Sequence, residues 1–216
     1  MARKAKTSLS AERSARPVIA VIDNTMDDAT EKQMKVRDVD APGPGEVLYF
    51  AYGSNMLTAR LRARVPSCRP LGVAWLPGHE LRFHKRSKDG SGKCNALPAE
   101  GAAGVMGVLF SFDAIDRPGL DRAEGRGAGY DDTMVTVLDA KGRSLNVLTY
   151  LAHPDHIDNH LKPYGWYRDL VIEGSREHGL QQDYVARRIE AVEAIEDLDR
   201  ARDAEERAVL SRKPSE

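Results

Sequence analysis

Only two of the 216 residues are cysteine, Cys68 and Cys94. Two thiols cannot build a disulfide-rich secreted scaffold, and they fall short of the ligand set of a zinc ribbon. Both read as reduced thiols of a cytoplasmic protein. No stretch approaches about 18 consecutive apolar residues, so no membrane-spanning helix is expected. A secretory leader needs an apolar core of about 7–15 residues. Val18–Ile22 is too short for one and runs straight into Asp23. Nor is there an excess of charge: 32 Lys+Arg stand against 33 Asp+Glu, a formal net charge of −1. A strongly basic nucleic-acid binder is disfavoured, with room left only for a local patch. No internal repeat is visible.

What is present suffices for a core, since 41% of the residues are hydrophobic. Residues 1–16 are basic without apolar periodicity, and 23–45 are acidic and polar. The second stretch ends in Ala41-Pro42-Gly43-Pro44-Gly45, strong turn punctuation. Residues 1–45 therefore read as a flexible extension, 46–182 as the folded domain, and 183–216 as a C-terminal helix with a charged tail.

Within the domain, Glu46–Tyr52 (EVLYFAY) reads as a buried strand, broken by Gly53-Ser54-Asn55. Met56, Leu57, Leu61 and Val65 then mark a short amphipathic helix, with Ser54 or Asn55 as its N-cap. Strands are expected at Leu71–Leu76, Glu80–His84, Val105–Phe112, Thr133–Leu138 and Leu145–Leu151. Asp139-Ala140-Lys141-Gly142 forms the hairpin turn between the last two. Asp113–Glu124 reads as a short helix broken near Pro118-Gly119. Trp166, Leu170, Val171 and Ser175 share one face of a later helix that Gly179 closes. Val185, Ile189, Val192, Ile195 and Leu198 predict a final helix that frays beyond Asp199. Strands in the middle and helices at the end, without βαβ alternation, indicate an α+β domain. Its sheet is mixed or antiparallel and able to close into a small barrel.

Two local features carry chemistry. At Tyr49–Arg60 a strand runs through Gly-Ser-Asn directly into a helix. Backbone N–H groups at such a start are unpaired and suit an anion such as a carboxylate. Gly53 allows close approach to the backbone. The alternative is an ordinary capped connection. At Leu120–Tyr130 (LDRAEGRGAGY), Glu124 sits where a helix meets a glycine-rich loop. A carboxylate partly withdrawn from water there is placed for general-base work. The alternative is a solvated surface glutamate.

Other patterns are rejected. Gly125-Arg126-Gly127-Ala128-Gly129 follows a helix, not a strand, so it is no dinucleotide loop. In Gly90-Ser91-Gly92-Lys93-Cys94, Ser87 stands where a P-loop needs its first glycine, and Cys94 replaces Ser/Thr. His153, His156 and His160 read as a solvated loop rather than a metal site. Arg60, Arg62, Arg64 and Arg69 read as a solvated basic face, with attraction of an acidic substrate as a secondary role.

Taken together, these segments resemble the γ-glutamylcyclotransferase-like superfamily. The resemblance runs from Leu48 to about Tyr184. YFAYGSNM (49–56) is similar to the family's substrate loop and LDRAEGRGAGY (120–130) to the segment bearing its catalytic glutamate. VLTYLA (147–152) is similar to the strand that supplies a pocket tyrosine, and YRDLVIEGSREHGLQQDY (167–184) to the closing helix. FHKRSKDGSGKCNA (83–96) looks like the bacterial-type version, and Gln181 stands where the family often has proline.

The resemblance implies an α+β fold around a small mixed barrel. It also implies cleavage of a γ-glutamyl amide with release of 5-oxoproline, with no cofactor and no metal. Glu124 maps onto the catalytic base. Tyr52, Gly53, Ser54, Asn55, Met56, Tyr130, Tyr150 and Tyr167 map onto the substrate pocket. The expected partner is a small γ-glutamyl compound, with neither nucleic acid nor membrane, and a homodimer is left open. Three alternatives stand beside this one: release of a γ-glutamyl amine, deprotection of a natural product, and a module that binds without turnover.

Overall fold

The computed structural model describes residues 42–211. Most of the N-terminal extension read at 1–45, and the last part of the charged tail (212–216), lie outside the described residues. Among these no helix is long and apolar enough to cross a membrane.

Five strands close into a barrel in the order β1-β5-β2-β6-β7. They are β1 (Glu46–Ala51), β2 (Arg69–Leu76), β5 (Val105–Asp113), β6 (Tyr130–Asp139) and β7 (Ser144–Ala152). Every pairing is antiparallel except β1 with β7, which run parallel and meet at Tyr49 and Leu148. The fold is thus the mixed α+β barrel expected, and closure removes the exposed edges of an open sheet. β5 is buried from Val105 to Phe112, which is why it appears in the sequence as an unbroken apolar run. Asp139 and Arg143 close the β6–β7 hairpin as expected, with Gly142 at φ +74°.

β3 (His79–Arg86) and β4 (Gly92–Pro98) form a separate hairpin. β4 is absent from the sequence reading because it is rich in polar residues. Tertiary partners make it tolerable. Lys93 Nζ donates to Asp89 and to the Ser91 hydroxyl, each at 2.8 Å. Asn95 meets the His84 ring at 3.0 Å and accepts from the Ala152 N–H of β7 at 2.9 Å.

Among the described residues five α-helices flank the barrel: α1 (Thr58–Arg62), α2 (Arg117–Glu124), α3 (Gly165–Glu177), α4 (Gln182–Val185) and α5 (Arg200–Ala208). Four expectations are corrected here. Neither Ser54 nor Asn55 caps α1: they form a 3-10 turn (Ser54–Met56), and Leu57 occupies the cap position. α2 is not broken at Pro118-Gly119. Pro118 lies in its first turn, where the missing N–H costs nothing, and Gly119 lets the Arg64 carbonyl approach to where a Cβ would stand 2.4 Å away. The last helical segment stops at Glu190 through a π turn (Ala186–Glu190). Val185 and Ile189 are buried, but Ile195 and Leu198 are exposed. Beyond Asp199 the chain does not fray: Asp199 caps α5 by accepting from the Arg202 N–H.

That last helix is anchored by a buried carboxylate. Asp197 accepts from the Trp166 indole at 2.9 Å and from the Arg202 guanidinium through two bonds. The Arg202 hydrogen bonds hold the Asp197 carboxyl far below its usual range. A depressed carboxylate stabilises the fold above its unfolded-state pKa, near 3.9, and that stabilisation is lost as the pH falls. Asp197→Asn is therefore expected to lower Tm at pH 7. Melting curves taken down to about pH 3 should show the gap to wild type closing.

Candidate active site

The site lies where the end of β1 meets the end of α2. A small cleft is lined by Tyr49, Tyr52, Gly53, Ser54, Asn55, Cys94, Glu124, Tyr130, Tyr150 and Tyr167. Seven of the eight substrate-pocket residues expected from sequence therefore share one cleft with Glu124. Met56 does not line it. Its side chain is fully buried, and its backbone packs under Gly174 of α3, where a Cβ would come within 2.7 Å of the Met56 carbonyl carbon.

Glu124 owes its position to the way α2 ends. Gly125 adopts φ +64°, its N–H bonds to the Arg122 carbonyl, and the Arg126 N–H bonds to that of Asp121. This is a Schellman closure with Glu124 as the last residue before the left-handed glycine. Asp121, one turn earlier, accepts from the Tyr150 hydroxyl and so ties α2 to β7. The Glu124 side chain keeps 14% of its exposure, and the solvated-surface alternative is excluded.

Its carboxylate is held from the opposite side. Asn55 Nδ2 donates to Glu124 Oε1 at 2.7 Å and also lies 3.0 Å from the Tyr49 hydroxyl. Arg64 donates to Asn55 Oδ1 at 2.5 Å and to Glu124 Oε1 at 3.3 Å. Asn55 is thus a cross-piece between Tyr49, Arg64 and Glu124. Its amide is occupied there and not at the helix start.

The Gly53–Asn55 turn borders the same space. The N–H groups of Ser54 and Asn55 donate to no acceptor among the described residues. Gly53 passes so close to β4 that a Cβ would lie 3.1 Å from Cys94 Cβ and 3.2 Å from the Tyr167 hydroxyl. Gly53, Ser54 and Asn55 line the cleft, and a turn with free backbone donors beside a glycine is the arrangement by which backbone reaches an anion.

The tyrosines tie the walls together. Tyr52 donates to the Tyr150 carbonyl, and Tyr130 to the Cys94 carbonyl at 2.6 Å. The Cys94 N–H donates to the Tyr167 hydroxyl at 3.1 Å. Burial pushes Tyr49, Tyr52, Tyr130 and Tyr167 above the ordinary phenol range, and the nearby Glu124 charge adds to it. All four are neutral donors at physiological pH. Tyr49 only accepts among the described residues, which keeps its proton for a ligand. Burial also raises the Cys94 thiol to about 12, so it lines the cleft as a neutral thiol and not as a nucleophile.

Three contributors escape the sequence reading. Tyr49 lies within the apolar and aromatic run Val47–Ala51 of β1, so nothing local separates it from the core. Cys94 lies on the strand that was missed. Arg64 belongs to the basic group read as solvated. That reading is corrected for Arg64 by the contacts above and for Arg60, whose guanidinium lies 2.6 Å from Glu206 of α5. The His153 ring accepts from the Asp155 N–H and shapes its own turn.

Comparison with known proteins places the chain in a family. The AIG2-like family matches residues 104–187. The human protein named gamma-glutamylcyclotransferase is 31% identical over 170 residues, covering 76% of this chain and 86% of the human one. The bovine protein of the same name is 31% identical over 144 residues, covering 63% of this chain and 74% of its own. A solved structure titled gamma-glutamyl cyclotransferase superposes with a TM-score of 0.69 at 26% identity, covering 77% of this chain and 99% of that one. An uncharacterised human protein superposes at 0.65 with 28% identity, covering 71% and 91%. The cleft, the barrel and these relatives agree: the chain belongs to the γ-glutamylcyclotransferase family of enzymes.

Proposed function

We propose that the protein cleaves a γ-glutamyl amide by attack of the substrate's own α-amine, releasing 5-oxoproline and a free amine or amino acid. The observation that carries this reading is the placement of a single carboxylate, Glu124, beside a turn with unpaired backbone donors, in a cleft walled by neutral tyrosine hydroxyls.

A γ-glutamyl group contains its own nucleophile. Its α-amine can close a five-membered lactam on the γ-carbonyl, so no covalent enzyme intermediate is needed. Holding amine and carbonyl at attack distance can contribute about 7–11 kcal/mol. What remains is proton transfer. The α-ammonium must lose a proton before attack, and the leaving nitrogen must gain one. Glu124 takes the first and delivers the second. The Ser54 and Asn55 N–H groups hold the substrate α-carboxylate. The Tyr49 hydroxyl is placed to donate to the oxyanion that develops on the γ-carbonyl.

The test is release of 5-oxoproline, measured by mass spectrometry, from γ-glutamyl amino acids, γ-glutamyl-lysine and glutathione. Absence of product from every compound would overturn the reading. Within it, Asn55 aims the base. Asn55→Ala is expected to lower kcat about 10- to 100-fold, the worth of the charge-assisted bonds it removes. Steady-state kinetics on the best substrate of the panel checks this.

A further inference from the structure

One cation at the edge of the cleft has no assigned task. Lys85 lies on β3, fixed there by a bridge to Ile157. Its Nζ stands 4.5 Å above the ring of Tyr130, which lines the cleft. Among the described residues it donates to no acceptor, whereas Arg64 is spent on Asn55 and Glu124, and Lys93 on Asp89 and Ser91. The glycine-rich loop after α2 makes room for it: a Cβ on Gly129 would stand 2.9 Å from Nζ. The ammonium is half-buried, and the Glu124 carboxylate is the first of the charges that offset its desolvation. A cation stacked on a tyrosine face is fixed in position yet keeps its hydrogen-bond donors.

The glutamyl half of the substrate has its carboxylate donors at the Gly53–Asn55 turn and its base at Glu124. A γ-glutamyl amino acid carries a second carboxylate, on the α-carbon bonded to the scissile nitrogen. A γ-glutamyl amine has none. We infer that Lys85 receives the carboxylate of the leaving group, so that the enzyme selects γ-glutamyl α-amino acids over γ-glutamyl amines. This rests on the cyclotransferase reading for the identity of the glutamyl half. A charged hydrogen bond made by one substrate and not the other discriminates about 10- to 100-fold.

The test compares γ-glutamyl-alanine with γ-glutamyl-alaninamide, which differ only in that carboxylate. Wild type is expected to favour the acid about 10- to 100-fold in kcat/KM, chiefly through KM. In Lys85→Met that ratio is expected to collapse towards one, and Lys85→Arg to restore part of it. Calorimetric binding of both compounds to Glu124→Gln, with and without Lys85→Met, reads the same preference without turnover. A ratio that survives in Lys85→Met overturns the inference, as does an equal loss for both compounds, which would place Lys85 on the glutamyl half. A Lys85-dependent binding preference without turnover in wild type would uphold the carboxylate contact while the cyclotransferase reading fails. Neither binding nor turnover overturns both.

Discussion

Glu124→Gln is expected to lower kcat by about 10²- to 10⁴-fold, the usual contribution of a positioned proton-transfer group. The amide matches the carboxylate in shape, and its oxygen still accepts from Asn55 and Arg64. The Schellman closure at Gly125 involves backbone alone and is untouched. Fold and ligand binding therefore persist while proton transfer is lost. Arg64 keeps its hydrogen bond to Asn55, so it is not left unpartnered. Release of 5-oxoproline, followed together with the melting temperature, separates the two effects. Turnover near wild type would remove Glu124 from the mechanism. Loss of activity together with the fold would assign it a structural task.

Gly174→Ala acts from outside the cleft and is expected to destabilise the fold strongly. Gly174 lies in the last turn of α3, where a Cβ would stand 2.5 Å from Leu57 N and 2.7 Å from the Met56 carbonyl carbon. The clash is with backbone, which cannot rotate away as a flexible side chain would. The helix must lift off the turn that follows β1. Overpacking of this kind costs about 3 kcal/mol, the upper end of the common range. For a chain of this size that lowers Tm by roughly 6–12 °C. Activity falls as well, because the displaced turn is the one that carries Ser54 and Asn55. Glu177 Oε2 accepts from the Thr58 N–H, and His178 Nε2 lies 3.0 Å from the Met56 carbonyl, so α3 and the turn move as one. Differential scanning calorimetry and 5-oxoproline release check the two parts. Wild-type stability would show that the turn shifts without cost.

Much of the fold is legible without tertiary information because its signals are local. Alternating and continuous apolar runs mark β1, β2 and β5 to β7, and the buried face of α3 follows from Trp166, Leu170, Val171 and Ser175. Where local signals mislead, a distant partner is the reason. Pro118-Gly119 looks like a helix breaker, yet the glycine is required by the Arg64 carbonyl. β4 looks like loop because it carries Lys93 and Asn95, whose partners lie in the preceding turn, on β3 and on β7. Beyond Glu190 the apolar spacing continues, but Ile195 and Leu198 are exposed. Charge capture by Asp197, not apolar burial, decides where the last helix sits.

The sequence by itself determined the α+β class, the strand–turn–helix at Gly53–Asn55, the junction that ends in Glu124, and the family to which the chain belongs. Each of these is built from short local segments and from the order in which they follow one another along the chain. Only the tertiary structure decided what surrounds the carboxylate. Asn55 and Glu124 are 69 residues apart in the chain and 2.7 Å apart in the site. Arg64 and Glu124 are 60 apart, and Cys94 and Tyr167 are 73 apart. Hydrogen bonds over such separations leave no periodic trace, because they depend on how the closed barrel brings the end of β1 against the end of α2. That closure turns an apparent N-cap into the cross-piece of the site, and a lysine on a hairpin into a cation at its edge.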